Sequence, residues 1–338
     1  MERVLQLKNL TTGYSAKGQK TVVTAGINAD LYRGELVCLI GPNGAGKSTL
    51  MRTISGSQKP LEGEVYLEGT NIYGIPPRQL AKKLSLVLTE KVNAGMLSAY
   101  EVVALGRYPH TNWSGKLSDR DHEIIQEAID MAGANELAER ALSELSDGER
   151  QKIMVARAFA QEPEVMILDE VTAFLDLPRR VEIMKLLRNM ANESGKCILL
   201  STHDMDLALR GADRIWLLPK GEALRIGSPE DLVLDGSFES AFSSEGVSFD
   251  LDSGSFRIHG HYQSAFCVTG EPKSVVAWTE RAMERIGVKV VENALRRVLV
   301  EPSGESFLWE LTDGHEVHSF SSIYELVEAI KQLEPAAV

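Results

Sequence analysis

The sequence predicts an α/β domain over residues 1–238, with a helical subdomain at about 95–160, and a small α+β domain over residues 239–338. Three observations carry that expectation. Continuous apolar runs, LVCLI at 36–40, VMILDE at 165–170 and CILLSTHD at 197–204, alternate with helical stretches, the rhythm of a buried parallel or mixed sheet. The glycine-rich GPNGAGKS follows the first of these runs and precedes the helix-forming TLMRTI. Beyond residue 246 the pattern changes to the alternating stretches VSFDL, SFRIH and SAFCVT, followed by two helical stripes.

Composition bounds the class of protein. A chain of 338 residues exceeds what one core usually organises, so two domains are expected. Hydrophobic residues at 43% and charged residues at 25% supply sizeable cores without disulfide staples. A net charge of −12 argues against a sequence-independent nucleic-acid binder, which needs a basic face to displace counterions, so no nucleic-acid partner is expected. The C-terminal part is the acidic part, with 15 acidic and 8 basic residues from Ala241 onward. Cys38, Cys197 and Cys267 lie far apart without CxxC spacing, which suits a reducing cytoplasm and argues against a cysteine metal site. No charged leader precedes an N-terminal apolar run, and no stretch nears the roughly 18 apolar residues of a membrane span. Work at a membrane is therefore expected to go through a partner.

Taken in order, VLQLKNLTTGY reads as short strands broken by turns, and LVCLI as a buried strand. In GPNGAGKS the residues Gly41, Pro42, Asn43, Gly44, Ala45 and Gly46 would turn backbone N–H groups around a phosphate. Lys47 would reach the outer phosphates, and Ser48 would offer its hydroxyl to Mg²⁺. In LSDGERQ, residues 145–151, Ser146 and Glu149 form an S-x-x-E capping box that opens the helix RQKIMVARAFA. Gly148 costs helix stability there unless something approaches its backbone, and a capped helix start with an exposed glycine and serine also suits a phosphate. VMILDE ends in Asp169, placed to meet Mg²⁺, and Glu170, placed to polarise an attacking water. CILLSTHD puts His203 at the end of a neighbouring strand. DGSFESAFSSEG, at 235–246, is small and polar and reads as a linker. After it, Val275, Trp278, Ala282 and Ile286 form one helix stripe, and Ile323, Leu326, Val327, Ile330 and Leu333 another. His259 and His261, with His315 and His318, are weighed as metal ligands and read as surface residues.

The set GPNGAGKST, LSDGERQ, VMILDE, AFLD and STHD, in this order and spacing, resembles the nucleotide-binding subunit of an ATP-binding cassette (ABC) transporter over roughly residues 1–235. The resemblance implies a P-loop ABC ATPase domain with a helical subdomain. It implies that two copies pack head to tail, the LSDGERQ helix of one closing over the ATP in the phosphate loop of the other. By the same resemblance Tyr14 stacks on adenine, Lys47, Ser48 and Thr49 hold phosphates and Mg²⁺, and Asp169 holds the metal shell. Glu170 is the general base and His203 contacts the γ-phosphate; Ser146 and Gly148, with Glu149 beside them, face it from the other copy, and Asp176 in AFLD joins the two sites. The implied partners are integral-membrane permease subunits and, indirectly, a substrate-binding protein, at the cytoplasmic face of a bacterial inner membrane.

The chain departs from the family pattern in three places. The usual LSGGQ carries Asp147 and Glu149, and the usual proline after the catalytic glutamate is Val171. The glutamine expected between phosphate loop and signature is absent, and SLVLTEKVN offers Thr89 and Glu90, of which Glu90 is the expected Mg²⁺-facing substitute. EVVALGRYPHTNW, at 101–113, is similar to the helical segment of importers for ferric siderophores, haem and cobalamin, which implies import of an iron chelate or a corrinoid. The alternatives are a soluble ABC ATPase uncoupled from transport and a motor for another substrate. The C-terminal domain is expected to be a regulatory or dimer-stabilising appendage.

Overall fold

The structure is a computed structural model, and it describes residues 2–16, 19–88, 96–242, 247–250, 254–258, 264–304, 306–314 and 316–333. The chain separates into two units, Met1–Phe242 and Ser243–Val338.

The first unit runs β1 (Arg3–Ala16), β2 (Gln19–Tyr32), β3 (Leu36–Ile40), α1 (Lys47–Ile54), β4 (Glu62–Leu67), β5 (Thr70–Asn71), α2 (Pro77–Leu80), β6 (Leu84–Val87), α3 (Ala99–Ala104), α4 (Asp119–Met131) and α5 (Asp147–Ala160). It continues with β7 (Val165–Asp169), α6 (Leu177–Ser194), β8 (Cys197–Ser201), α7 (Met205–Gly211), β9 (Arg214–Leu217), β10 (Arg225–Gly227), α8 (Pro229–Leu234) and α9 (Ser237–Phe242). The central sheet has the order β10-β9-β3-β8-β7-β6, and every pairing in it but β10 with β9 is parallel. The apolar runs are fully buried because both faces of this sheet are covered. Along β3 the residues alternate between two cores: Leu36, Cys38 and Ile40 join the helical side, while Val37 and Leu39 join the side of the antiparallel sheet β2-β1-β4-β5.

Two expectations for this unit are corrected. The N-terminal segment forms 14-residue strands rather than short ones. Its turn-like residues are absorbed by register shifts around Leu7, Leu10 and Thr12, with Asn9 in the left-handed region at φ 44°, so β1 and β2 stay paired through the irregularities. The segment read as a linker from 235 is partly α9, whose Phe238 is fully buried in the main core with Phe242 packed beside it. Two aromatic side chains with a core to enter outweigh a polar local composition.

The second unit contains β11 (Val247–Asp250), β12 (Ser255–Ile258), β13 (Ser264–Gly270), α10 (Lys273–Arg285), β14 (Val288–Val290), β15 (Arg296–Ser303), β16 (Ser306–Asp313), β17 (Glu316–Phe320) and α11 (Ile323–Leu333). A sheet of order β14-β13-β15-β16-β17 packs Phe266, Val298, Val300, Trp309 and Leu311 against Met283 of α10 and Leu326 and Ile330 of α11. Of the stripe foreseen on α10, Val275 and Ile286 pack against this core, and Trp278 does not. Trp278 is 62% exposed, and the buried positions are Thr279 and Met283. The inward place of Thr279 has a polar cause: Trp309 Nε1 donates to Thr279 Oγ1 at 2.8 Å, and that hydroxyl donates to the Val275 carbonyl. Thr279→Val should therefore strand a buried indole N–H and destabilise this unit by about 1–3 kcal/mol, read as faster hydrogen exchange across residues 264–333; unchanged exchange would remove this account of the packing. His259, His261 and His315 lie outside the described residues, and His318 is exposed beside Glu316. Among the described residues no group of three or more His, Cys, Asp or Glu is placed to hold a metal ion, and no helix is long and apolar enough to cross a membrane.

Candidate nucleotide site

Three neighbouring parallel strands, β3, β8 and β7, end on the same side and each delivers part of the site. From β3 the chain turns through Gly41–Gly46 into α1. Gly46 is the N-cap of that helix at φ 106°, a conformation that favours glycine, and no side chain caps it. The first N–H groups of α1 are thus left for an anion, where the helix dipole adds to the attraction. Lys47 is buried, and its Nζ donates to the Gly41 carbonyl at 2.8 Å and to Pro42 at 3.4 Å. Burial pulls its pKa down, opposed by the charges of Glu170 and Asp169. Tyr14, half exposed on β1, shares a 2.9 Å hydroxyl contact with Thr49 Oγ1, which ties the edge of the antiparallel sheet to the phosphate loop.

Asp169 ends β7 and is 8% exposed. Burial pushes its pKa up, opposed by the neighbouring Ser201 hydroxyl and the charges of Arg52 and Lys47. Glu170, the next residue, sits at φ 50°. Left-handed backbone at a non-glycine costs on the order of 1–3 kcal/mol and persists where its surroundings fix it. Here the Glu170 N–H donates to the Ser201 carbonyl at 3.0 Å and its carbonyl accepts from Ala173 at 2.9 Å. The turn brings Glu170 Oε1 to 2.6 Å from His203 Nε2 on the loop after β8. With the proton on Nε2, the imidazole donates to the carboxylate and orients it.

The LSDGERQ segment starts α5. The capping box expected at Ser146 and Glu149 is present: Glu149 N–H donates to Ser146 Oγ at 3.4 Å, and Ser146 N–H donates to Glu149 Oε2 at 2.8 Å. The glycine is where the structure differs from expectation. Gly148 is buried, and what approaches it is the chain's own Arg179, whose stem would lie 3.3 Å from an added Cβ. Arg179 then pairs with Glu182 at 2.8 Å, and Glu182 also holds Lys152 of α5. No hydrogen bond or ion pair among the described residues joins Ser146–Glu149 to Gly41–Thr49. Asp176 caps α6, accepting from the Arg179 N–H at 3.2 Å. Thr89 and Glu90 lie outside the described residues.

Sequence reasoning missed several residues that brace the first unit. Arg180 donates to the Leu175 carbonyl at 2.7 Å and pairs with Asp204 at 3.2 Å, bridging the loop after Glu170 to the loop of His203. Ser201 faces Asp169 across the β7–β8 pairing. Arg107, in GRYPH, is 4% exposed and pairs with both Asp121 and Glu162 at 2.8 Å. Arg180–Asp204 and Arg107–Glu162 span 24 and 55 positions and leave no periodic signal.

A phosphate loop on a buried parallel strand, with a histidine after the next strand of the sheet and a carboxylate pair at the end of the one beyond it, defines a P-loop nucleotide hydrolase. Comparison with known proteins gives the narrower class. Residues 24–173 match the ABC transporter family and residues 263–331 the iron ABC transporter C-terminal domain. An uncharacterised ABC transporter ATP-binding protein of Methanocaldococcus jannaschii is 47% identical over 230 residues, covering 68% of this chain and 78% of that protein. The iron(3+)-hydroxamate import ATP-binding protein FhuC of Bacillus subtilis is 34% identical over 70% of this chain and 87% of its own length. Among solved structures, a dimeric ATP-binding cassette in a post-hydrolysis state with ADP and phosphate is 30% identical with a TM-score of 0.57, covering 67% of this chain and 98% of that one. The chain belongs to the family of ABC transporter ATP-binding proteins, whose cassettes are ATPases.

Proposed function

We propose that this chain is the ATP-hydrolysing motor of an importer for iron chelates, working as a head-to-tail pair beneath permease subunits on the cytoplasmic face of the membrane. The observation that carries hydrolysis is the 2.6 Å contact of Glu170 with His203 beside the phosphate loop, a base and its orienter at the place where a γ-phosphate would lie. In this reading the N–H groups opening α1 and Lys47 bind the phosphates, Tyr14 carries the adenine, and Glu170 takes a proton from water. Ser48 and Asp169 would hold Mg²⁺. They are hard oxygen donors of the kind Mg²⁺ prefers, and a bound cation would oppose the burial that pushes the Asp169 pKa up. Held there, the ion would supply positive charge against the nucleotide phosphates.

The cargo is argued from the second unit, which matches the iron transporter C-terminal domain, and from relatives named for siderophore import, such as FhuC. A regulatory role for that unit fits its lack of any nucleotide motif. For permease docking the helical part offers the exposed side chains Met96, Leu105, Tyr108 and Trp113. The test is hydrolysis by the chain assembled with its permease in vesicles, with a ferric siderophore or cobalamin delivered on the cognate binding protein. Stimulation by the ferric chelate is expected; stimulation by cobalamin alone, or by neither, rejects the iron reading.

A further inference from the structure

Glu149 does more at the start of α5 than close a capping box. Its Oε2 accepts the Ser146 N–H at 2.8 Å and the Ser146 hydroxyl proton at 2.7 Å, while its Oε1 lies 3.4 Å from Arg140 Nη1. An anionic group held by a backbone N–H, a hydroxyl and a guanidinium at a helix N-terminus has the surroundings a phosphate oxygen would have. The hydroxyl proton of Ser146 is committed to this carboxylate. If a phosphate from a second copy is to take that proton, it must displace a charged acceptor already in place.

We propose that Glu149 is an internal competitor for the nucleotide phosphate presented by the partner copy, so that its carboxylate must rotate off Ser146 before the dimer can close. This rests on the cassette reading above. Arg140 provides the way out, since it holds the other carboxylate oxygen and can keep it as Glu149 leaves. A glutamine at this position would still serve the capping box but would compete only as a neutral acceptor, and charge-assisted hydrogen bonds are roughly twice as strong as neutral ones.

The experiment uses the full chain with Glu170→Gln as a background that accumulates the ATP-bound dimer, and measures by light scattering the ATP concentration that half-dimerises it. Adding Glu149→Gln should lower that concentration about five- to tenfold, the scale of one charge-assisted bond made neutral. Arg140→Gln should raise it, because Glu149 then has no alternative partner. Nucleotide affinity of the dilute monomer should be unchanged in both. An unchanged or raised requirement for Glu149→Gln overturns the proposal, as does a shift of both variants in the same direction, which marks a structural effect. Failure of Glu170→Gln alone to dimerise with ATP would remove the head-to-tail reading, and the proposal with it.

Discussion

Glu170→Gln is expected to cut steady-state ATP hydrolysis by about 10²- to 10⁴-fold, the usual scale for losing a positioned general base, while ATP binding stays intact. The geometry makes the substitution a clean one. Glutamine keeps the size of the side chain and can accept from His203 Nε2 across the 2.6 Å contact, so the left-handed turn at φ 50° and its bond to Ser201 should survive. Only the ability to take a proton from water is lost. Because Lys47 and the N–H groups of α1 are untouched, nucleotide should accumulate unhydrolysed and the chain should be trapped as an ATP-bound dimer. Phosphate release and size-exclusion chromatography read the two halves of the expectation. Turnover near that of the native chain would reject Glu170 as the base, and lost ATP binding would show that the substitution had disturbed the loop instead.

Arg107→Ala should destabilise the helical part by roughly 3–5 kcal/mol, the cost of removing one partner from a buried ion pair. The guanidinium is 4% exposed and donates at 2.8 Å to Asp121 Oδ1, to the Ala160 carbonyl and to Glu162 Oε2. It therefore closes the C-terminus of α5 and fastens it to the first turn of α4, where Asp121 is also the capping partner of Ser118. Burial opposes ionisation of Asp121, but hydrogen bonds from Ser118 and Arg107 hold its pKa down to about 2. Because the folded value lies below the ordinary 3.8, this contribution is fully present above that pH and is lost as pH falls toward about 2. Denaturant titration, with hydrogen exchange at residues 119–131, measures the loss. A change below about 1 kcal/mol would place Arg107 among weak surface pairs.

What was legible in the sequence was local. A run such as LVCLI can only be a strand covered on both faces, GPNGAGKS carries its turn and its cation within eight residues, and the S-x-x-E spacing opens α5 whatever surrounds it. Each of these signals lies within one element, so propensity, apolar patterning and cap chemistry were enough. The expectations that needed correction were also local readings, but at positions where distant contacts prevail. Trp278 has the spacing of a core residue, yet Thr279 takes the inward place because the Trp309 indole needs its hydroxyl. The polar stretch after Asp235 folds as a helix because Phe238 finds a core.

By itself, then, the sequence determined the class of fold, the phosphate loop, and the identity of the acid pair and the histidine. The tertiary structure alone decided that β8 lies between β3 and β7 so that Glu170 meets His203, that Arg179 covers Gly148, and that Arg107 is a buried tie to Glu162. The physical reason is range. Hydrophobic periodicity and capping are written in residues a few places apart, whereas strand order and charge pairing join residues tens of positions apart, and no local pattern records which partner a side chain will reach.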